Sequence, residues 1–235
     1  MYRSIFHIIR YLAYLMSVIL LGACSSNVIN IDAKDSATFT TLETSIPLSR
    51  DDKVRIKLRA SQVNGDYSQT VPVGKRIIID NVDIQGPADV SGTMDLTYGS
   101  VSIGGDDIFD GGDALQRKLR TSVFLGVSQT VMDLTLVHEG TTYTTNDRTT
   151  ELYMQGGMSY GITPSFHAGA TYAMSIGPDL TGISEGDLKL DYSLFKHLQI
   201  MGGYRWLEYH YLVEEEDSTI KVDFRGPFIG LYIPL

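Results

Sequence analysis

A single cysteine, Cys24, stands in the 235 residues, so no internal disulfide framework holds this chain together. Cations are also short: 19 Lys and Arg face 28 Asp and Glu, for a formal charge of −9. That balance argues against nucleic acid as a partner. Beyond the N-terminal segment, histidine is confined to positions 138, 167, 197 and 210, scattered along the chain. No HExxH, Walker or CxxC pattern occurs, so metal and nucleotide chemistry have no motif to rest on. The expectation is no catalytic residue, no metal and no cofactor. After residue 24 long hydrophobic runs are missing too, and no helix-period segment exceeds two turns. What is present in quantity is glycine, 23 residues, and tyrosine, 14, which suits closely packed strands with aromatic side chains at an interface.

The chain start reads "MYRSIFHIIRYLAYLMSVILLGAC", with Arg3 and Arg10 ahead of an uncharged apolar run over residues 11–23 that ends in small residues. This is the pattern of a secretory signal peptide. The run is shorter than the roughly 20 residues a membrane-spanning helix needs. "LGAC" resembles the bacterial lipobox, which implies cleavage after residue 23 and a lipidated Cys24. Ser25 rather than Asp follows, implying onward sorting to the outer membrane. Loss of residues 1–23 removes two arginines and no acid, taking the formal charge from −9 to −11.

From residue 91 onward, apolar and polar residues alternate in blocks. Strands are expected near 92–103, 117–126, 130–138, 150–161, 165–176, 186–195, 197–212 and 219–234. The connections at 127–129, 162–164 and 196 are tight, whereas those at 104–116, 139–149, 177–185 and 213–218 are longer. Short turns at one end and longer loops at the other fit an antiparallel up-and-down transmembrane β-barrel, all-β, with eight strands. An even count returns both barrel ends to the short-turn side, where a periplasmic anchor at Cys24 needs them.

Alternation assigns faces. Leu188, Leu190 and Tyr192 oppose Asp187, Lys189 and Asp191; Leu119, Val123 and Leu125 oppose Arg120; Met94, Leu96 and Tyr98 oppose Asp95; Met132, Leu134 and Leu136 oppose Asp133. A lipocalin-like soluble barrel would turn the apolar face inward. A membrane barrel would turn it outward. Eight strands enclose too little room for rows of leucines, so the second arrangement is expected, with Asp95, Arg120, Asp133, Asp187, Lys189, Asp191 and Arg205 as an interior charge network. Trp206, Glu208 and His210 share the outward face near the loop end and are candidate contacts for lipid or lipopolysaccharide headgroups.

Residues 91–235 resemble the small outer-membrane barrels of the OmpA, OmpX and OmpW type, through "IMGGYRWLEYHYL" at 200–212 and "FRGPFIGLYIPL" at 224–235. The resemblance implies assembly by the barrel assembly machinery and residence in the cell outer membrane among lipid and lipopolysaccharide. It implies no particular activity. Ahead of the barrel, residues 24–50 read as a lipidated tether, and 51–90 as a periplasmic β-hairpin segment or two further strands, making ten. In the second case Arg55, Lys57 and Arg59 face the interior aspartates. The glycine-rich "GGDDIFDGGD" at 104–113 has a composition compatible with weak Ca²⁺ binding but no EF-hand spacing.

The functional expectation is a non-enzymatic, lipid-anchored barrel with a structural or surface-interaction role, its loops extracellular and open to an unidentified surface ligand. Three alternatives stand beside it. A lipid A hydrolase would need a serine on the same outward face as Glu208 and His210. A soluble lipocalin-like lipoprotein and a small pore are the others.

Overall fold

The computed structural model describes residues 28–32, 37–48, 54–79, 82–106, 119–177, 182–195, 197–213 and 218–235. Among them every regular element is a strand: β1 (Val28–Asp32), β2 (Thr38–Pro47), β3 (Val54–Val71), β4 (Arg76–Ile79), β5 (Val82–Gln85), β6 (Ala88–Asp106), β7 (Leu119–His138), β8 (Thr141–Thr163), β9 (Phe166–Ile176), β10 (Gly182–Phe195), β11 (Leu198–Val213) and β12 (Ser218–Pro234). Nine of these, β2, β3 and β6 to β12, pair in succession and close into a barrel. All neighbours are antiparallel except at the seam, where β2 runs parallel to β12 from Phe228 opposite Phe39 to Pro234 opposite Ser45. β1 lies on the same edge of β12, with Val28 opposite Thr219. An odd number of staves requires this parallel closure, because the first and last then point the same way.

The faces of the barrel exchange character along its axis. On β3 the outward residues run Val54, Ile56, Leu58 and Ala60, then Gln62, Asn64, Asp66, Ser68 and Thr70, while the inward ones run Arg55, Lys57, Arg59 and Ser61, then Val63, Tyr67 and Val71. β7 does the same: Val123, Leu125 and Val127 face out beside Gln129 and Asp133, and Arg120, Ser122 and Ser128 face in beside Met132, Leu134 and Leu136. On β12, Lys221, Asp223 and Arg225 give way outside to Ile229 and Leu231. One half is therefore a belt, apolar outside and charged within. The other half, here the crown, is polar outside and encloses an apolar core that includes Phe39, Val63, Leu96, Leu136, Tyr209 and Phe224. The β4–β5 hairpin forms its own small sheet and buries Ile77 and Ile84 in that core.

Several boundaries differ from those the alternation suggests. Residues 127–129 are not a turn but the middle of β7, where Val127 pairs with Val101 on one side and Leu152 on the other. The expected strands 117–126 and 130–138 are thus one. The expected loop 139–149 reduces to a two-residue turn at Glu139 and Gly140, both at positive φ, as in a type I′ hairpin; "TTYTTNDRTT" continues as strand because β-branched threonine suits a pleated surface even without bulky residues. Two strands come from the segment expected to precede the barrel. β2 lies inside the stretch read as a tether and β3 inside the stretch read as a periplasmic hairpin. The count is accordingly nine rather than eight or ten, and short and long connections do not segregate to opposite ends.

Candidate functional site

The charged lumen of the belt is the chemically distinctive part of this molecule. Its deep layer centres on Arg205, 1% exposed, whose Nε and Nη2 donate to Asp187 Oδ1 and Oδ2 at 2.6 and 3.0 Å. The remaining nitrogen, Nη1, donates to Thr41 Oγ1 at 2.8 Å, Tyr98 OH at 3.2 Å and Ser61 Oγ at 3.3 Å. Its guanidinium carbon lies 4.6 Å from the Phe228 ring centroid and 5.5 Å from that of Phe39. Five elements thus hold one side chain: β2, β3, β6, β10 and β12.

Arg59 is the second cation of this layer. Its Nη2 donates to Glu185, its Nε lies 3.2 Å from Glu43 Oε1, and Asp187 Oδ2 is 3.6 Å away. The Tyr98 hydroxyl donates to Glu185. Glu151 meets hydroxyls instead of a cation, accepting from Thr149 at 2.7 Å, from Ser128 and Thr130 at 3.4 Å each, and from Ser175. Burying so many charges is costly unless each is paired and hydrogen-bonded, and here most are. The exceptions are Arg59 Nε and Nη1, the Tyr153 hydroxyl and Asp191 Oδ1, which lack hydrogen-bond partners.

Toward the belt rim the lumen opens into a cavity of about 310 Å³ lined by Arg55, Lys57, Arg120 and Lys189 together with Glu43 and Asp191. Lys57 Nζ sits 2.9 Å from Glu43 Oε2, donates to Gln155 Oε1 at 3.0 Å and lies 5.5 Å from the Phe124 ring centroid. Lys189 Nζ is 3.4 Å from Asp191 Oδ2. Arg55 Nη1 reaches the Tyr232 hydroxyl at 3.3 Å. Arg120 makes no ion pair among the described residues.

Of the seven charges expected inside, Asp187, Lys189, Asp191 and Arg205 meet there, and Arg120 stands at the rim of the same cavity. Asp95 and Asp133 do not. They lie opposite each other on the outer face of the crown, where Asn146 donates to Asp133, and the apolar residues between them, Met94, Leu96, Met132 and Leu134, point inward. The reason is the exchange of faces: β6 and β7 have already left the belt at these positions, so a rule of apolar outside no longer applies. Tyr98, expected on the outward apolar face with Met94 and Leu96, lies inside, and Glu43, Glu151 and Glu185 were not among the expected interior charges. Glu43 had a signal, the alternation of Leu42, Thr44 and Ile46 against Glu43 and Ser45. Glu151 and Glu185 each had same-parity neighbours with the right pattern, Gln155 for one and Asp187 for the other.

Trp206, Glu208 and His210 face outward as expected, at the boundary between belt and crown. The indole of Trp206 covers Gly186, where an added Cβ would fall 2.0 Å from the ring. His210 Nε2 lies 2.5 Å from Glu208 Oε1, and Lys221 Nζ lies 2.7 Å from Glu208 Oε2 and 3.8 Å from Asp223 Oδ1. Partial burial raises the Glu208 pKa, but hydrogen bonds from Lys221 and His210 outweigh it and hold the carboxyl below its ordinary value. Lys221 is raised despite its own desolvation, because Glu208 and Asp223 favour its charged form. A serine does share this face: Ser184 stands opposite Glu208 across β10 and β11. Among the described residues Ser184 makes no hydrogen bond to His210.

Cys24 and residues 107–113 of the aspartate-rich segment lie outside the described residues. Among the described residues no group of three or more His, Cys, Asp or Glu is placed to hold a metal ion. Comparison with known proteins finds no family model that matches the chain, no curated protein and no solved structure similar to it.

Proposed function

We propose that this chain is an outer-membrane β-barrel lipoprotein with a structural or surface-interaction role, whose lumen is filled rather than conducting. One observation carries the reading: a continuous apolar belt faces outward on a barrel whose crown keeps its apolar residues inside. Leu152 is 73% exposed and Leu188 57%, while Leu96 and Leu136 of the crown are fully buried. Water would not tolerate the belt, and lipid would not suit the crown. β9, eleven residues long and apolar outside throughout, has the length a tilted membrane strand needs, about 9–11 residues. The ion-pair layer around Arg59 and Arg205 and the apolar core above it occupy the lumen, which supports a filled rather than a conducting barrel. Glu208 is engaged by a lysine as well as a histidine, which favours a salt-bridged boundary between belt and crown over a lipid A hydrolase.

The parallel seam bears on topology. Val28 lies toward the crown and Leu235 at the belt rim, so the two ends of the barrel part company. Cys24 precedes Val28 by four residues, a reach of about 14 Å at most. On the lipid-anchor reading, Cys24 and the crown therefore share one side of the membrane, and a periplasmic anchor places the crown in the periplasm. The test is labelling of intact cells with a membrane-impermeant maleimide, in Cys24-lipidated protein carrying Thr142→Cys on the crown or Ser165→Cys at the belt rim. Labelling of the rim cysteine alone is expected. Recovery of the protein as a detergent-free soluble monomer would overturn the membrane reading itself.

A further inference from the structure

We infer that the crown edge of β8 takes up an extended, basic peptide segment of another protein as an added strand. β8 outlasts its neighbour on one side. Its last partnership with β9 is Leu152 opposite Ile176, whereas β7 stays paired with it as far as Thr141. β10 starts at the same level, Gly182 opposite His210, so among the described residues the crown wall has a gap two staves wide between β8 and β11. Residues 178–181 join Gly177 to Gly182 there, a reach of about 17 Å at most against a rise of about 33 Å from Glu151 to Thr141. β4 touches β8 without pairing with it, and the other edge of the crown sheet, β3 beyond Asn64, has β1 against it.

The open edge carries none of the usual devices against strand addition. "TTYTTNDRTT" has no proline and no lysine, and its ladder with β7 runs without a bulge. Arg148 N donates to Asp147 Oδ1 at 2.8 Å, so the backbone groups of Arg148 face the open side, and by the period of the ladder those of Thr142, Thr144, Asn146 and Thr150 do too. Charge sets the chemistry of the partner. On the outer face of the crown strands β3, β6, β7 and β8, Asp66, Asp89, Asp95 and Asp133 stand against Arg148. Asp147 adds a buried Oδ2 without a hydrogen-bond partner at the edge itself. An incoming carbonyl can take the Arg148 N–H from Asp147 and leave that carboxylate to a lysine or arginine of the added strand. A second copy of the chain fits less well: antiparallel pairing of two β8 strands turns one barrel upside down against the other, which a shared membrane forbids. This choice of occupant rests on the outer-membrane reading.

The experiment is fluorescence anisotropy of the full-length protein in dodecyl maltoside with a labelled peptide of alternating lysine and threonine, about ten residues long, and with its glutamate–threonine counterpart. Saturable binding of the lysine peptide is expected, with the glutamate peptide about tenfold weaker or worse. Methylation of alternate backbone nitrogens in the lysine peptide should abolish binding, because its charge remains and its strand hydrogen bonds do not. Thr144→Pro removes an edge-facing N–H that β7 does not use and should weaken binding about tenfold. Arg148→Gln removes the only cation of β8 and should tighten it, an effect of opposite sign that loss of folding would not produce. Heat-modifiable migration on gels verifies that each variant is folded. No saturable binding by the folded barrel, equal affinity for the two peptides, or binding indifferent to backbone methylation or to Thr144→Pro overturns the inference. A dimer in sedimentation velocity that Thr144→Pro dissociates would assign the edge to a second copy and overturn it as well. Failure of the outer-membrane reading shows differently, as a soluble monomer without detergent.

Discussion

Arg205 shows how much one residue can be asked to hold. It sits on the inward face of β11, and alternation alone puts it there, but its partners come from strands 18 to 164 positions away. Replacing it by leucine leaves Asp187 buried without its bidentate donor, in a layer where Glu185 already competes for Arg59. Arg205→Leu should destabilise the barrel by about 3–5 kcal/mol, measured by urea unfolding in micelles. Glu208 belongs to a different class of residue, a third exposed and at the boundary between belt and crown. Its folded pKa lies below the ordinary 4.5, so its contribution to stability is present above that value and fades as pH falls through the folded pKa. Glu208→Gln should therefore be less stable than the parent at neutral pH, with the gap closing below pH 4.5. A gap that widens in acid would refute the assignment of Lys221 and His210 as its stabilising partners.

At the scale of the strand, the exchange of faces is the property that decides behaviour. Period-2 alternation reports which residues share a side, and it reported this correctly for β10 and β11. It does not report which side is in. On β7 the outward series runs through Leu125 and on to Gln129, four residues along the same face, from belt to crown. An arginine at Leu125 must enter the lipid-facing belt and should cost about 2–4 kcal/mol if it lies near the bilayer midplane. An arginine at Gln129 faces the polar exterior and should cost little. Membrane fractionation and heat-modifiability of Leu125→Arg and Gln129→Arg test the pair directly. Equal effects would mean that the boundary between belt and crown is misplaced.

For the molecule as a whole, closure is what makes the other features possible. β2 and β3 supply Glu43, Arg55, Lys57 and Arg59 to the lumen, and β2 covers the free edge of β12. A chain beginning at residue 91 contains the segment most like a small barrel, yet it lacks two of nine staves. Such a fragment should fail to give a heat-modifiable, protease-resistant species, because β6 and β12 would be left as unpaired edges and Arg205 would lose Thr41 and Ser61. The full chain carried through the same refolding should give it. A folded fragment would show that the parallel seam is dispensable.

Composition and alternation by themselves determined that this protein is all-β, that its strands have one apolar and one polar face, and that Asp187, Lys189, Asp191 and Arg205 share a side. These are local facts, set by the pleat and by which residues tolerate it. The number of staves, the parallel seam, the continuity of β7 through Val127 and the outward placement of Asp95 and Asp133 came only from the tertiary structure. The physical reason is that solvent changes along the barrel axis while the pleat does not: the same alternation means apolar outside in the belt and apolar inside in the crown, and only pairing with neighbours tells a strand where one ends and the other begins.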